Sequence, residues 1–232
     1  MPGGASRLLP PFFPVRALEP EWLETAPPAT ADVNLRDLVR VNRWFGGHRA
    51  LLEVFRRLVH PGDRFSVLDI GAASGDMGKC IRRSYRNANV VSLDRRTAHL
   101  RPAEPPRVAA EALALPFRER SFDFVLCSSL LHHFSGQCAA ALVREFLPIA
   151  RQAVIVLDLE RHCLAYSFLP LTGWLLGWSD ITVHDGCISV AAGFTVNELR
   201  WIAREAGADE AVVRRHWPWF RISLVMRPGA GV

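Results

Sequence analysis

The chain has 232 residues, half of them hydrophobic and 22% charged, with 16 glycines and 16 prolines. These proportions exclude a mainly disordered, collagen-like or low-complexity chain and suit one or two globular domains. The net charge is +5, carried on the basic side by 27 arginines and a single lysine, Lys79; an arginine-biased coding sequence accounts for that, and a mild positive field favours anionic partners without fixing a fold.

Residues 1–31 form a lead rich in proline and small residues, expected to be extended and weakly ordered. Residues 32–60 read as helical. Leu51, Leu52, Phe55, Leu58 and Val59 recur at helical spacing, and Gly46 and Gly47 break the run into two helices. From residue 61 onward apolar runs alternate with amphipathic stretches. The pattern predicts strands over 65–70, 90–94, 108–110, 122–127 and 154–157, with helices over 75–87 and 137–150 between them. Such a βαβ series implies a parallel sheet covered on both faces. Residues 161–194 interrupt this rhythm with mixed apolar and polar character. A helix over 195–207 resumes it, with Thr195 at the N-cap and Glu198 three residues on, and strands are expected over 211–216 and 221–226.

The five cysteines (Cys80, Cys127, Cys138, Cys163, Cys187) are odd in number and show no CxxC or Cys/His spacing. No zinc framework is expected and no metal ligand is assigned. A reduced, cytoplasmic protein is the simplest expectation. The first fifteen residues contain Pro10, Pro11 and Pro14 and no continuous apolar stretch before a small-residue cleavage site, so no secretory signal is read there. The most apolar run, residues 164–178, is too short to span a bilayer and is broken by Pro170 and Gly173.

The sharpest chemical feature follows the first strand. Residues 71–75, Gly-Ala-Ala-Ser-Gly, join a buried strand to a helix. Small residues let a ligand approach the backbone, and a helix start offers unpaired N–H groups; without a ligand, the same segment is a tight turn. The second strand ends in Asp94, 19 residues after Gly75. A carboxylate there is suited to accept from both hydroxyls of a ribose, or to cap a helix. Gly71, Gly75 and Gly78 do not have the G-x-G-x-x-G spacing, Lys79 belongs to no Tyr-x-x-x-Lys pair, and no Gly-Lys-Ser/Thr occurs. A dinucleotide fingerprint, short-chain dehydrogenase chemistry and a P-loop are thereby excluded.

Taken together, Asp-Ile-Gly-Ala-Ala-Ser-Gly at 69–75, the acid at 94, Glu-Ala-Leu-Ala-Leu-Pro-Phe at 111–117, Ser-Phe-Asp at 121–123 and Leu-His-His at 131–133 resemble class I S-adenosylmethionine-dependent methyltransferases. The likeness is to the small-molecule branch that includes ubiquinone- and menaquinone-type enzymes, and it is strongest over residues 60–160. One departure stands in the loop, where Ala73 replaces the usual second glycine.

The resemblance implies an α/β, Rossmann-like seven-stranded methyltransferase sheet with helices on both faces. It implies an N-terminal helical cap over 32–60 and a methyltransferase domain over 61–232 with a helical lid insertion at 161–194. It further implies S-adenosylmethionine as cofactor, with Gly71, Ala72, Ala73 and Gly75 lining its aminoacyl half and Asp69 organising that loop. Asp94 is expected on the ribose and Arg95 on the adenine. Glu111, Ala112 and Leu113 are expected along the adenine edge, and Ser128 and Ser129 on the sulfonium side. Arg43 either pairs with the cofactor's carboxylate or is a solvated helix arginine.

Bases are less defined. His132 and His133 lie past the fourth strand, where an imidazole is a suitable general base or, equally, a helix cap. The segments Asp-Leu-Glu-Arg-His at 158–162 and His-Asp-Gly-Cys-Ile-Ser at 184–189 resemble a subgroup of small bacterial methyltransferases of unassigned substrate. They nominate His184 as a third base and Asp158, His162, Tyr166, Asp185 and Ser189 as acceptor contacts, against ordinary loop structure and capping. The run 164–178 is core packing, a hydrophobic acceptor pocket, or a face for shallow membrane contact. The leading expectation is O-methylation of a phenol or enol in secondary metabolism. C-methylation of a quinone-like ring comes second, and a non-catalytic cofactor-binding scaffold is the reading from another class. No Asn/Asp-Pro-Pro-Tyr/Phe segment and no Pro-Cys nucleophile occurs, so a small molecule and not a nucleic acid is the expected acceptor.

Overall fold

A computed structural model describes residues 15–208 and 210–229. Seven strands form one sheet in the order β3-β2-β1-β4-β5-β7-β6. They are β1 (Phe65–Ile70), β2 (Ala88–Asp94), β3 (Arg107–Ala109), β4 (Phe122–Ser128), β5 (Ala150–Leu159), β6 (Glu210–His216) and β7 (Arg221–Arg227). The first five run parallel and β7 is antiparallel to both β5 and β6. The expected α/β sheet is therefore present, and its strand order reverses at β1, between β2 and β4. In sheets of this kind that reversal opens a crevice at the carboxyl ends of the strands.

The two-residue period of the strands explains the two-sided core. Leu68 and Ile70 of β1, Val125 and Cys127 of β4, and Val154 and Val156 of β5 pack on one face. Their neighbours Val67, Phe124, Leu126, Ala153 and Ile155 pack on the other. The first face is covered by α4 (Gly136–Phe146) and α7 (Val196–Glu205), the second by α2 (Gly47–Phe55) and α3 (Asp76–Ser84). Each fully buried Leu, Ile, Val or Phe contributes about 1.5–3 kcal/mol. The capping box read at Thr195 is formed: its hydroxyl accepts from Glu198 N–H, and the Glu198 carboxylate accepts from Thr195 N–H.

Several boundaries differ from the sequence pattern for physical reasons. Helix α3 ends at Ser84, three residues early, because Tyr85 adopts an extended backbone and packs against Phe55 and Phe65. Helix α4 stops at Phe146 and a 3-10 turn follows with Pro148 at its start, a residue that cannot continue an α-helix. Ala150, expected in that helix, opens β5, which is longer than predicted at both ends. The insertion resolves into two helices, α5 (Cys163–Leu176) and α6 (Asp180–Ala192), divided where Gly177 adopts φ +65°.

Residues 1–14 of the lead lie outside the described residues, and residues 15–27 make hydrogen bonds to the body, among them Ala17 N–H to Ala191 C=O. Trp22–Glu24 form a 3-10 turn, and α1 (Pro28–Trp44) begins four residues before the expected Asp32, with proline in the first turn where its missing N–H costs nothing.

Candidate functional site

A cavity of about 1110 Å³ opens at the carboxyl ends of the strands, beneath α1, α5, α6 and the anchored segment 15–27. The loop after β1 supplies one wall. Gly71, Ala73 and Gly75 all have left-handed φ, at +70°, +44° and +68°. Gly71 and Gly75 meet that demand without cost, whereas Ala73, the residue that departs from the family's glycine, carries its methyl group in a conformation that disfavours it. What holds Ala73 there is Asp94, whose Oδ2 accepts from Ala73 N–H at 3.0 Å while its Oδ1 accepts from Arg96 N–H at 2.8 Å. Asp94 thus ties the end of β2 to the loop after β1. Each of its oxygens retains acceptor capacity toward the cavity it lines.

Two polar atoms on the same wall are buried without a partner, Oδ2 of Asp69 and Oγ of Ser128. They stand at the ends of β1 and β4, the strands flanking the crevice. Burial, reinforced by the nearby carboxylates of Asp76 and Asp94, pushes the Asp69 carboxyl up to about 7, although Gly78 N–H favours the anion. Orphaned buried groups are uncommon in folded proteins and ask for a ligand or an ion.

The opposite end of the cavity carries a cluster that joins His132, His133, Asp158 and Ser189, all nominated from the sequence, to Glu21 and Glu24, which were not. His132 sits in a 3-10 turn after β4, almost fully buried. Its Nδ1 lies 2.7 Å from Asp158 Oδ1, its backbone N–H donates to Asp158 Oδ2 at 3.2 Å, and its Nε2 lies 3.4 Å from Glu21 Oε1. The Ser189 hydroxyl also donates to Glu21 Oε1. His133 faces Glu21 Oε2 at 3.9 Å and Glu24 Oε1 at 3.7 Å. Burial alone would lower His132, but Asp158 and Glu21 overcome it and raise the imidazole to about 10. Both carboxylates are held below their ordinary range by that cation despite desolvation. His133 is lowered, by burial first and by the positive His132 second.

Of the residues predicted for the cofactor, Asp69, Gly71, Ala72, Ala73, Asp94, Arg95, Glu111, Ala112, Leu113, Ser128 and Ser129 all line this cavity. Gly75 does not: it is buried behind the loop, where a Cβ would come within 2.5 Å of Ala103 Cβ. Arg43 does not either. It is exposed, and the adjacent Asn42 faces the cavity in its stead. Helical periodicity had no means to choose between those neighbours before the packing of α1 was known.

His132, His133, Asp185 and Ser189 also line the cavity. His184 does not, because its ring stacks on Trp22 at 3.6 Å between centroids while Nδ1 meets Asp185 Oδ1 at 3.0 Å. The two residues lie on helix α6 and not on a loop. His162 caps α5 by accepting from Leu164 N–H and stacks on Phe220. Asp158, 0% exposed, lies behind His132 and outside the lining, as does Tyr166. Glu21, Glu24, Asn42 and Arg221 line the cavity and were missed. Arg221 is fully buried, with its Nε unpartnered, and desolvation lowers it to about 10. The signal for Glu21 was faint, three acids within residues 19–24 of a proline-rich lead.

The strand order, the small-residue loop after β1 and the acid ending β2 are the fold features that the resemblance to class I methyltransferases implies. Residues 67–153 match the family model described as Methyltransferase domain. A malonyl-[acyl-carrier protein] O-methyltransferase of Coxiella burnetii is 36% identical over 76 residues, which are 33% of this chain and 27% of that protein. The chain thus spans about a quarter of the length of this curated relative. Among solved structures, an O-methyltransferase family 2 protein of Planctomyces limnophilus, in complex with apigenin, superposes with a TM-score of 0.62 at 14% identity, covering 88% of this chain and 62% of that one. Magnesium protoporphyrin IX methyltransferase of Synechocystis, with bound SAH, gives 0.54 at 16% identity over 78% and 84% of the two chains. At such identities the likeness is one of fold.

Proposed function

We propose that this protein transfers a methyl group from S-adenosylmethionine to an oxygen of a small, largely apolar or aromatic acceptor, a phenol or enol. The observation that carries the cofactor assignment is the pair of orphaned buried atoms, Asp69 Oδ2 and Ser128 Oγ, on the same cavity wall as the spare lone pairs of Asp94. This donor and acceptor set fits an aminoacyl group beside a ribose. The loop of residues 71–73 with Asp69, Ser128 and Ser129 holds the aminoacyl half in this reading. Asp94 holds the ribose hydroxyls, with Arg95, Glu111, Ala112 and Leu113 along the adenine.

Bound there, the cofactor supplies a methyl group already activated on a sulfonium sulfur. The chain's own part is to hold an acceptor oxygen in line with that methyl, keep water out and accommodate the departing proton. In-line positioning alone can account for about 7–11 kcal/mol of a barrier. Helices α5 and α6 and the segment 15–27 cover the site and exclude water. Phe45, Phe168, Leu169, Val190 and Phe220 give the acceptor end an apolar wall. Glu21, His132 and His133 form a polar pole there, and Ser189 and Asp185 border it. An apolar wall with one polar pole suits a ring bearing one ionisable oxygen.

Helix α5 has no charged residue, and Leu171, Trp174 and Leu175 on it are 71%, 84% and 66% exposed. No described helix is long and apolar enough to cross a membrane. Shallow contact of α5 with a bilayer, as a route for an apolar acceptor, forms part of this reading. It predicts co-sedimentation with phosphatidylglycerol vesicles that Trp174→Asp abolishes.

The decisive experiment is calorimetric titration with S-adenosylhomocysteine, followed by incubation of a phenol, enol and quinone panel with isotopically labelled S-adenosylmethionine. Binding and label on an acceptor oxygen are expected. Label on ring carbon would favour C-methylation of a quinone-like ring instead, and absence of any binding would leave only a scaffold.

A further inference from the structure

The polar pole of the cavity has the composition of a metal site. One ring nitrogen each of His132 and His133 and a carboxylate oxygen of Glu21 lie within 4.8 Å of one another. Metal–ligand bonds of about 2.0–2.2 Å in a tetrahedron place ligand atoms about 3.4 Å apart. His132 Nε2 and Glu21 Oε1 already stand at 3.4 Å, and His133 Nε2 and Glu21 Oε2 at 3.9 Å. We infer that Glu21, His132 and His133 bind one divalent transition-metal ion of the zinc class, with a remaining coordination position open to the acceptor end of the cavity.

Further observations support this. Histidine ligands characteristically hand their other ring nitrogen to a carboxylate, which fixes the tautomer and raises ligand basicity. Asp158 takes that place on His132 Nδ1 at 2.7 Å, and Glu24 stands 3.7 Å from His133 Nδ1. Glu21, the carboxylate ligand, is itself oriented by the Ser189 hydroxyl. The charges also balance, since one dication neutralises the buried carboxylates of Glu21 and Asp158. All three ligands border the cavity, so the ion is reachable from it. Two imidazoles and one carboxylate are a donor set for a transition metal, not for magnesium or calcium, which take oxygen ligands.

The ion would take one ring-nitrogen lone pair from each imidazole and a carboxylate oxygen of Glu21. The use of the ion rests on the methyl-transfer reading above: an acceptor hydroxyl in the open position is acidified and its proton goes to solvent before the site closes, both O–H electrons stay on the oxygen, and the O–CH3 bond forms as the S–CH3 bond breaks, its electron pair remaining on sulfur. No linear motif revealed the site, because Glu21 lies 111 residues from His132 in the chain.

The test is titration of the untagged, full-length protein with cobalt(II) chloride, read by visible absorption, with zinc(II) as competitor. One equivalent of cobalt per chain is expected. Glu21→Gln should weaken cobalt binding at least a hundredfold, and Ser189→Ala, which only orients Glu21, by about 10–100-fold. Should Glu21→Gln fail to fold, His133→Ala, at the more exposed ligand, carries the same expectation. No stoichiometric cobalt uptake, or uptake unchanged in both Glu21→Gln and His133→Ala, would overturn the site and leave a buried ion-pair network only. The same samples are titrated with S-adenosylhomocysteine. Cobalt bound without that ligand overturns the methyl-transfer reading and not the metal site; that ligand bound without cobalt does the reverse.

Discussion

Asp185 grips the backbone of Trp22: its Oδ1 accepts from Trp22 N–H at 2.8 Å, and its Oδ2 accepts from Leu23 N–H at 3.0 Å. The contact spans 163 residues of sequence and fastens the segment 15–27 over the acceptor end of the cavity. Arg16 assists, donating to Ala192 C=O and His132 C=O at 2.7 Å each, and Arg96 donates to Glu24 C=O. Hydrogen bonds to a charged group contribute about 1.5–3 kcal/mol each. Asp185→Ala should therefore speed amide exchange at Trp22 and Leu23 by at least about tenfold, while exchange in β4 and β5 stays as it was. Unchanged exchange at those two amides would show that the segment is held by other contacts.

Asp94 couples two functions in one carboxylate. Asp94→Ala removes the expected ribose contacts and also the acceptor that steadies Ala73 in its left-handed conformation. Loss of one to two charge-assisted hydrogen bonds predicts a rise in the dissociation constant for S-adenosylhomocysteine of about 10–100-fold. Isothermal titration measures it, and wild-type affinity in the variant would remove the ribose assignment.

Asp37 supplies a pH dependence. Its carboxylate is buried on α1 and receives Ser179 N–H at 3.0 Å, Ser179 Oγ–H at 2.9 Å, Thr182 Oγ1–H at 3.1 Å and Arg40 at 2.8 Å. Desolvation opposes ionisation, but these four donors win and hold the acid below its ordinary value. A depressed carboxylate stabilises the fold fully above its unfolded pKa of about 3.9 and loses that contribution as pH falls through the folded value. Acid unfolding of the wild type should consequently steepen below about pH 4, and Asp37→Asn should flatten that limb. Asp37→Ala, which strands its donors, should cost about 1–3 kcal/mol near neutrality, read from urea denaturation.

Gly46 is the joint between α1 and α2. It adopts φ +84°, and a Cβ there would lie 2.2 Å from Cβ and Cγ of Trp219, in the turn between β6 and β7. The left-handed backbone alone costs an L-residue about 1–2 kcal/mol, and the clash forces Trp219 to move. Gly46→Ala should lower stability by more than that figure in thermal or urea unfolding. Gly62→Ala, where nothing lies within 4 Å, should have little effect.

The sequence by itself determined the sheet and the wall that faces the expected cofactor. Buried parallel strands are short apolar runs, and the elements that shape the crevice, residues 69–75 and Asp94, follow their strands within a few positions. Local order in the chain is therefore spatial order at the strand ends, and these residues were legible. At the acceptor end His132, His133, Asp185 and Ser189 were nominated, but Glu21 and the pairing among these groups were not. Glu21 meets His132, Asp158 stands behind that imidazole, and Asp185 turns away to hold Trp22, all across separations from 26 to 163 residues. No periodicity encodes which polar side chains converge when α6 and a proline-rich lead pack over a sheet edge. Only the tertiary structure decides that, because burial makes each polar group find whatever partner the packing brings within reach.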